Sequence, residues 1–134
     1  MSELLLQLAK NYLFLFKDYH FRFVDSKFSL NSSTLILYND EIFLYFTSDA
    51  RDGFDLIVRS KFSNELHGYS IYYVGKLLTG KFLFDKSISK KSANFLQTNF
   101  KAISNLFSLE KCKSTENKLN QIASGEIENF IKNI

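Results

Sequence analysis

The stretch from Ser33 to Phe62 limits what this chain can fold into more than any other part. It reads STLILYND, EIFLYFTSDA and RDGFDLIVRSKF, three short runs of β-branched and aromatic residues separated by Asn39-Asp40 and by the segment from Asp49 to Gly53. Such side chains suit a pleated surface, and Asn, Asp and Gly accept turn geometry, so the pattern predicts an antiparallel meander. The last run is the most regular: Phe54, Leu56 and Val58 share one face, and Asp55, Ile57 and Arg59 the other. Register is thereby fixed, because a slip of one residue would bury Asp55 and Arg59 without assured partners. A sheet of this kind hides one face, and the flanking segments must supply the cover.

Helical spacing on both sides provides it. From Ser2 to His20 the residues Leu5, Leu8, Tyr12, Leu15 and Tyr19 recur at a helical period, with Ser2 placed to cap them. Tyr69 to Leu78 predicts a short helix capped by Ser70 and ended at Gly80, although Ser70 to Val74 also has strand character. A further helix is expected from Ser92 or slightly earlier to about Leu109, with Leu96, Phe100, Ile103 and Phe107 as its buried line. A last helix, capped by Ser114 or Thr115, carries Leu119, Ile122, Ala123, Ile127, Phe130 and Ile131. His20 to Ser29 alternates as a first strand that slips near Asp25, and Thr34 to Tyr38 is apolar on both sides, which predicts a central strand covered on both faces. The expected architecture is one α+β domain over residues 1–134: an N-terminal helix, an antiparallel four-stranded meander, then a short helix and two longer C-terminal helices packed on the sheet.

Composition narrows the chemistry. The single cysteine, Cys112, leaves no intramolecular disulfide and fits a reducing compartment, so a cytoplasmic location is expected. No stretch approaches the ~20 apolar residues that span a bilayer, and the N-terminal apolar run lacks the charged flank of a leader peptide. His20 and His67 lie far apart, no CxxC or HExxH spacing occurs, and the five glycines are isolated rather than gathered in a phosphate loop. Cys112 lies near a helix end, where the dipole opposes a thiolate. A catalytic role, a cofactor and a metal are therefore not expected.

Charge points to recognition instead. The formal net charge is +3, but the segment up to Ser60 carries more acidic than basic residues and the remainder more basic than acidic. Uneven placement of this kind favours two faces of opposite character. Asp40 and Glu41 at one turn, with Asp49, Arg51, Asp52 and Asp55 at the next, form an acidic group if the strands bring them together. Carboxylates beside Tyr45 and Arg59 suit a surface that meets a basic protein partner. The alternative is nucleic-acid binding by the Lys-rich segment from Lys76 to Lys101, where Lys86, Lys90 and Lys91 would contact phosphates and Tyr72 and Tyr73 would stack on bases. Arginine, the preferred reader of phosphates and bases, occurs only at positions 22, 51 and 59, which favours the protein partner.

FRFVDSKFS at Phe21 to Ser29, STLILYNDEIFLYFTSDARDGFDL at Ser33 to Leu56 and YSIYYVGKLLTG at Tyr69 to Gly80, following an N-terminal helix, resemble small bacterial immunity proteins, including those of contact-dependent growth inhibition. The segment after Lys81 departs from that pattern. The resemblance implies a non-enzymatic inhibitor that sits in the cytoplasm of the producing cell and binds a cognate toxin domain. Many such toxins are nucleases with basic surfaces, which an acidic patch would complement.

Overall fold

In the computed structural model, which describes Leu6, Leu8, residues 10–51 and residues 53–133, the meander forms as expected and gains a short fifth strand. Strands β1 (Arg22–Phe28), β2 (Ser32–Tyr38), β3 (Ile42–Asp49), β4 (Gly53–Ser60) and β5 (Tyr69–Ser70) pair antiparallel in sequence order. The hairpins follow from local chemistry. Asn39 Oδ1 accepts from the backbone N–H groups of Glu41 and Ile42, both at 2.9 Å, and Gly53 takes φ +77° to start β4. β1 bulges between Phe23 and Asp25, where the alternation slips in the sequence.

Helix α1 (Phe14–Asp18) is only the last part of the expected N-terminal helix. Leu6, Leu8, Lys10 and Asn11 are also helical, but Tyr12 and Leu13 interrupt the run; the expected cap, Ser2, lies outside the described residues. The interruption places Tyr12, fully buried, where its hydroxyl meets Ser92 Oγ at 2.6 Å and its ring meets Phe46 edge-on at 5.0 Å. Desolvation pushes the Tyr12 phenol up to about 12, despite the hydrogen bonds to Ser92 and Ser89.

The Tyr69–Val74 segment is both strand and helix: β5 ends at Ser70, whose side chain then caps α2 (Ile71–Thr79), and Gly80 closes that helix at φ +82°. The next helix divides into α3 (Lys90–Thr98) and α4 (Phe100–Leu106). It starts at Lys90, just ahead of Ser92 as expected, because Ser89 and Ser92 form a reciprocal capping box, and it breaks at Asn99, whose Nδ2 donates to the Phe95 carbonyl at 3.0 Å. Helix α5 (Cys112–Lys132) begins before its expected cap, so Cys112 opens a helix instead of closing one, and is buried.

All the helical cover lies on one side. Leu35, Leu37, Ile42, Leu44, Phe46, Leu56 and Val58 face it and belong to a single core with Leu15, Ile71, Val74, Leu96, Ile103, Phe107 and Leu119. Each such burial contributes about 1.5–3 kcal/mol relative to exposure. Ser60 Oγ donates to the Phe107 carbonyl and Thr115 Oγ1 to that of Leu106, fastening the cover to the sheet and α5 to α4. Beyond Leu119 the α5 stripe leaves the core: Ile122 and Ala123 are half-buried, and Ile127, Phe130 and Ile131 are exposed.

The opposite face corrects the expectation for β2. Thr34, Ile36 and Tyr38 are only half-buried, because every helix packs on the Leu35 and Leu37 side. The meander is a one-sided sheet.

Candidate functional site

The uncovered face carries an organised group of rings and cations. Cross-strand pairing sets Tyr38 beside Phe43, Phe43 beside Arg59, and Tyr45 between Ile36 and Ile57. Such neighbours point to the same side, since side chains directly opposite in an antiparallel ladder share a face. Phe43 and Tyr45 lie nearly parallel with centroids 6.3 Å apart, and Tyr38 stands 6.3 Å from Phe43. Arg59 is held three ways: its guanidinium carbon is 5.5 Å from the Phe43 centroid, Nη1 donates to the Tyr45 hydroxyl at 3.2 Å, and Nε donates to the Glu65 carbonyl at 2.9 Å. Lys61 Nζ lies 4.7 Å from the Tyr38 centroid. Side chains fixed in this way lose little freedom on meeting a partner.

The acidic residues expected to gather do not do so. Asp40 and Glu41 sit exposed at the β2–β3 turn, whereas Asp49 and Arg51 sit at the β3–β4 turn. The length of β3 separates the two turns by about 23 Å at ~3.3 Å per residue. Asp52 lies outside the described residues. Asp49 Oδ1 accepts from the Arg51 N–H at 2.7 Å and so shapes its own turn.

Asp55 has a structural task. Its Oδ1 accepts from Ser70 Oγ at 2.7 Å and from the Leu56 N–H at 2.8 Å, which ties β4 to the cap of α2. Desolvation raises its pKa, and the bonds to Ser70 and Leu56 and the charge of Lys86 offset this only in part. Tyr45 therefore stands at mid-strand, Arg59 lies one pair from the end that carries Asp40 and Glu41, and Asp49 with Asp55 lie at the other end.

On the Lys-rich segment the chain does bring Tyr72, Tyr73 and Lys86 together. Lys86 Nζ is 4.8 Å from the Tyr73 centroid and 5.6 Å from that of Tyr72, and its hydrogen bond with Tyr73 raises the ammonium pKa. Tyr72 also stacks on Phe82 at 4.4 Å, so both tyrosines already have partners. Lys91 shares a shallow cleft with Tyr72, and Lys90 is exposed in the first turn of α3.

Sequence reasoning found Tyr45 and Arg59 and missed Tyr38, Phe43 and Lys61. The signal was present in the alternation, since all five occupy the outward register of β2, β3 and β4 or its extension. Among the described residues, no group of three or more His, Cys, Asp or Glu is placed to hold a metal ion, and no helix is long and apolar enough to cross a membrane. No family model, curated protein or solved structure matches this chain.

Proposed function

We propose that the chain is a bacterial immunity protein that neutralises a cognate toxin domain in the cytoplasm by binding it, without turnover, through the uncovered sheet face. The observation that carries this reading is the organised group on that face: Tyr38, Phe43 and Arg59 near the β2–β3 turn, Tyr45 beside them at mid-strand, and carboxylates at both ends. Protein interfaces concentrate their energy in central Tyr and Arg side chains and place charged groups at a polar rim. The four full-length strands β1 to β4, of 7 or 8 residues each and spaced ~4.8 Å, give on the order of 500 Å², somewhat over half of the ~800 Å² that each partner contributes to a standard interface. A nuclease toxin with a basic surface would be steered by the rim carboxylates.

The test is to express the neighbouring reading frame with and without this chain. Growth arrest by that frame alone, rescue on co-expression, and loss of rescue with Tyr45→Ala plus Arg59→Ala are expected. A harmless neighbour overturns the class, and rescue that survives the double substitution overturns the surface. The cluster of Tyr72, Tyr73 and Lys86 favours a second reading, nucleic-acid binding at the Lys-rich segment. That reading requires retention on single-stranded RNA or DNA that falls steeply with salt and weakens with Lys86→Ala.

A further inference from the structure

β1 is an outer edge of the sheet with β2 as its one neighbouring strand, and every residue from Arg22 to Phe28 is exposed except the half-buried Ser26. Phe23, Val24 and Phe28 are 51%, 48% and 55% exposed. An edge of this length offers unpaired backbone groups to a second strand, and bulges and charged side chains are the usual means of keeping one off. β1 carries both, but the bulge ends at Asp25, and the charges beyond it stand in an order that attracts one particular strand.

The backbone gives the first observation. Hydrogen-bonded and non-bonded pairs alternate along an antiparallel ladder. The Ser29 N–H donates to the Ser32 carbonyl at 2.8 Å, and counting back from that pair makes Lys27–Thr34 and Asp25–Ile36 the bonded pairs. The N–H and C=O groups of Ser26 and Phe28 therefore turn away from β2. In keeping with this, the Ser26 N–H donates to the exposed Oδ1 of its own neighbour Asp25, at 2.8 Å.

The second observation is side-chain order. Asp25 and Lys27 flank Ser26, and because they pair with Ile36 and Thr34 both stand on the open side of the sheet. Neither forms an ion pair among the described residues. The order acid, serine, base reads the same on an antiparallel copy of itself. Centring that copy on Ser26 sets each Asp25 against the Lys27 of the other chain, twice, and makes the two Ser26 residues a bonded pair, as their outward backbone groups require. Centring it on Asp25 or on Lys27 places like charges opposite, which is unfavourable.

We propose that two copies of this chain pair antiparallel through β1, centred on Ser26, to make one continuous sheet. Each Ser26 N–H exchanges the Asp25 carboxylate for the Ser26 carbonyl of the second copy, and the freed carboxylate meets Lys27. The two-fold axis stands perpendicular to the sheet, so both helical covers lie on one side and the two open faces adjoin on the other. The pairing does not depend on the immunity reading.

The experiment is sedimentation equilibrium of the full chain over a range of concentrations, with amide hydrogen exchange followed at each. A reversible dimer is expected, and exchange at Ser26 and Phe28 should slow as concentration rises, while Lys27, bonded to β2, stays slow throughout. Asp25→Lys and Lys27→Asp, both at exposed positions, each set like charges opposite in both pairs and should weaken the dimer about tenfold. Mixing the two variants puts opposite charges together again and should restore association. Ser26→Pro removes an N–H that β2 does not use, so it should keep the circular dichroism of the fold and abolish the dimer. A monomer at every concentration overturns the proposal, and if β1 exchange then slows only with the product of the neighbouring reading frame, the edge belongs to that partner. A dimer indifferent to these substitutions also overturns it, and directs attention to the exposed Ile127, Phe130 and Ile131 of α5. A monomer with intact rescue removes the pairing alone, and a β1 dimer without rescue removes the immunity reading alone.

Discussion

The two faces of this sheet are built from alternate residues of the same strands, yet they differ in kind. The covered face is largely aliphatic, with Phe46 and the half-buried Phe54 as its rings, and Leu35, Leu37, Ile42, Leu44, Phe46, Leu56 and Val58 on it are at most 1% exposed. The open face has Tyr38, Phe43, Tyr45 and Arg59 at half-burial, joined to one another by ring contacts and a hydrogen bond. Packing buries the first face along most of its length and makes it specify the fold. The second is organised by its own neighbours and stays open to solvent, so it is available for recognition at little cost to stability.

Four substitutions set the faces against each other. Phe46→Ala opens a cavity in the covered face and should lower unfolding free energy by about 3–5 kcal/mol in a denaturant titration. Tyr12→Phe removes a hydroxyl bonded to Ser92 and should cost about 0.5–1.5 kcal/mol. It should also change the alkaline limb. The folded state holds the Tyr12 phenol at about 12 against the usual 10.0, so its contribution is complete below 10.0 and lost as pH rises through about 12. Stability scans of the Phe variant should lack that loss.

On the open face, Tyr45→Ala forfeits the ring contact with Phe43, the hydrogen bond from Arg59 and the cross-strand neighbours Ile36 and Ile57, and a loss of about 0.5–1 kcal/mol is expected, measured beside a much larger loss of partner binding. If Tyr45→Ala proves as damaging to stability as Phe46→Ala, the contrast fails. Asp55→Asn should act least and with opposite sign. Because burial raises the Asp55 carboxyl above its ordinary 3.8, the wild-type contribution is complete below 3.8 and lost as pH rises through the folded value. The Asn variant should match wild type at low pH and become the more stable of the two towards neutrality.

What could be read from the sequence was what depends on near neighbours. Alternation from Phe54 to Arg59 gave the register and the inward side, and Ser70 and Gly80 announced both ends of α2. The rest turned on distant residues. Apolar residues on both sides of β2 read as double cover, but local pattern does not reveal on which side the helices settle. The break at Tyr12 depends on Ser92, 80 residues away in sequence. Asp40 and Asp49 looked like members of one acidic group because they are near in sequence, and β3, extended between them, holds them apart. The α5 stripe continues to Ile131 in pattern, while the core it would pack against ends sooner.

The hydroxyl bonds from Tyr12 to Ser92 and from Ser60 to the Phe107 carbonyl have a consequence during biosynthesis. At a synthesis rate of about 5–20 residues per second, the strands are complete roughly 2–7 s before Phe107 has been added. In that interval the covered side of the nascent sheet lacks α3, α4 and α5, and its Leu and Phe side chains are partly exposed to chaperones and to other nascent chains. A product released before Lys90 should keep the strands, α1 and α2, lose the rest of the cover, and pellet on centrifugation where the full chain stays in the supernatant.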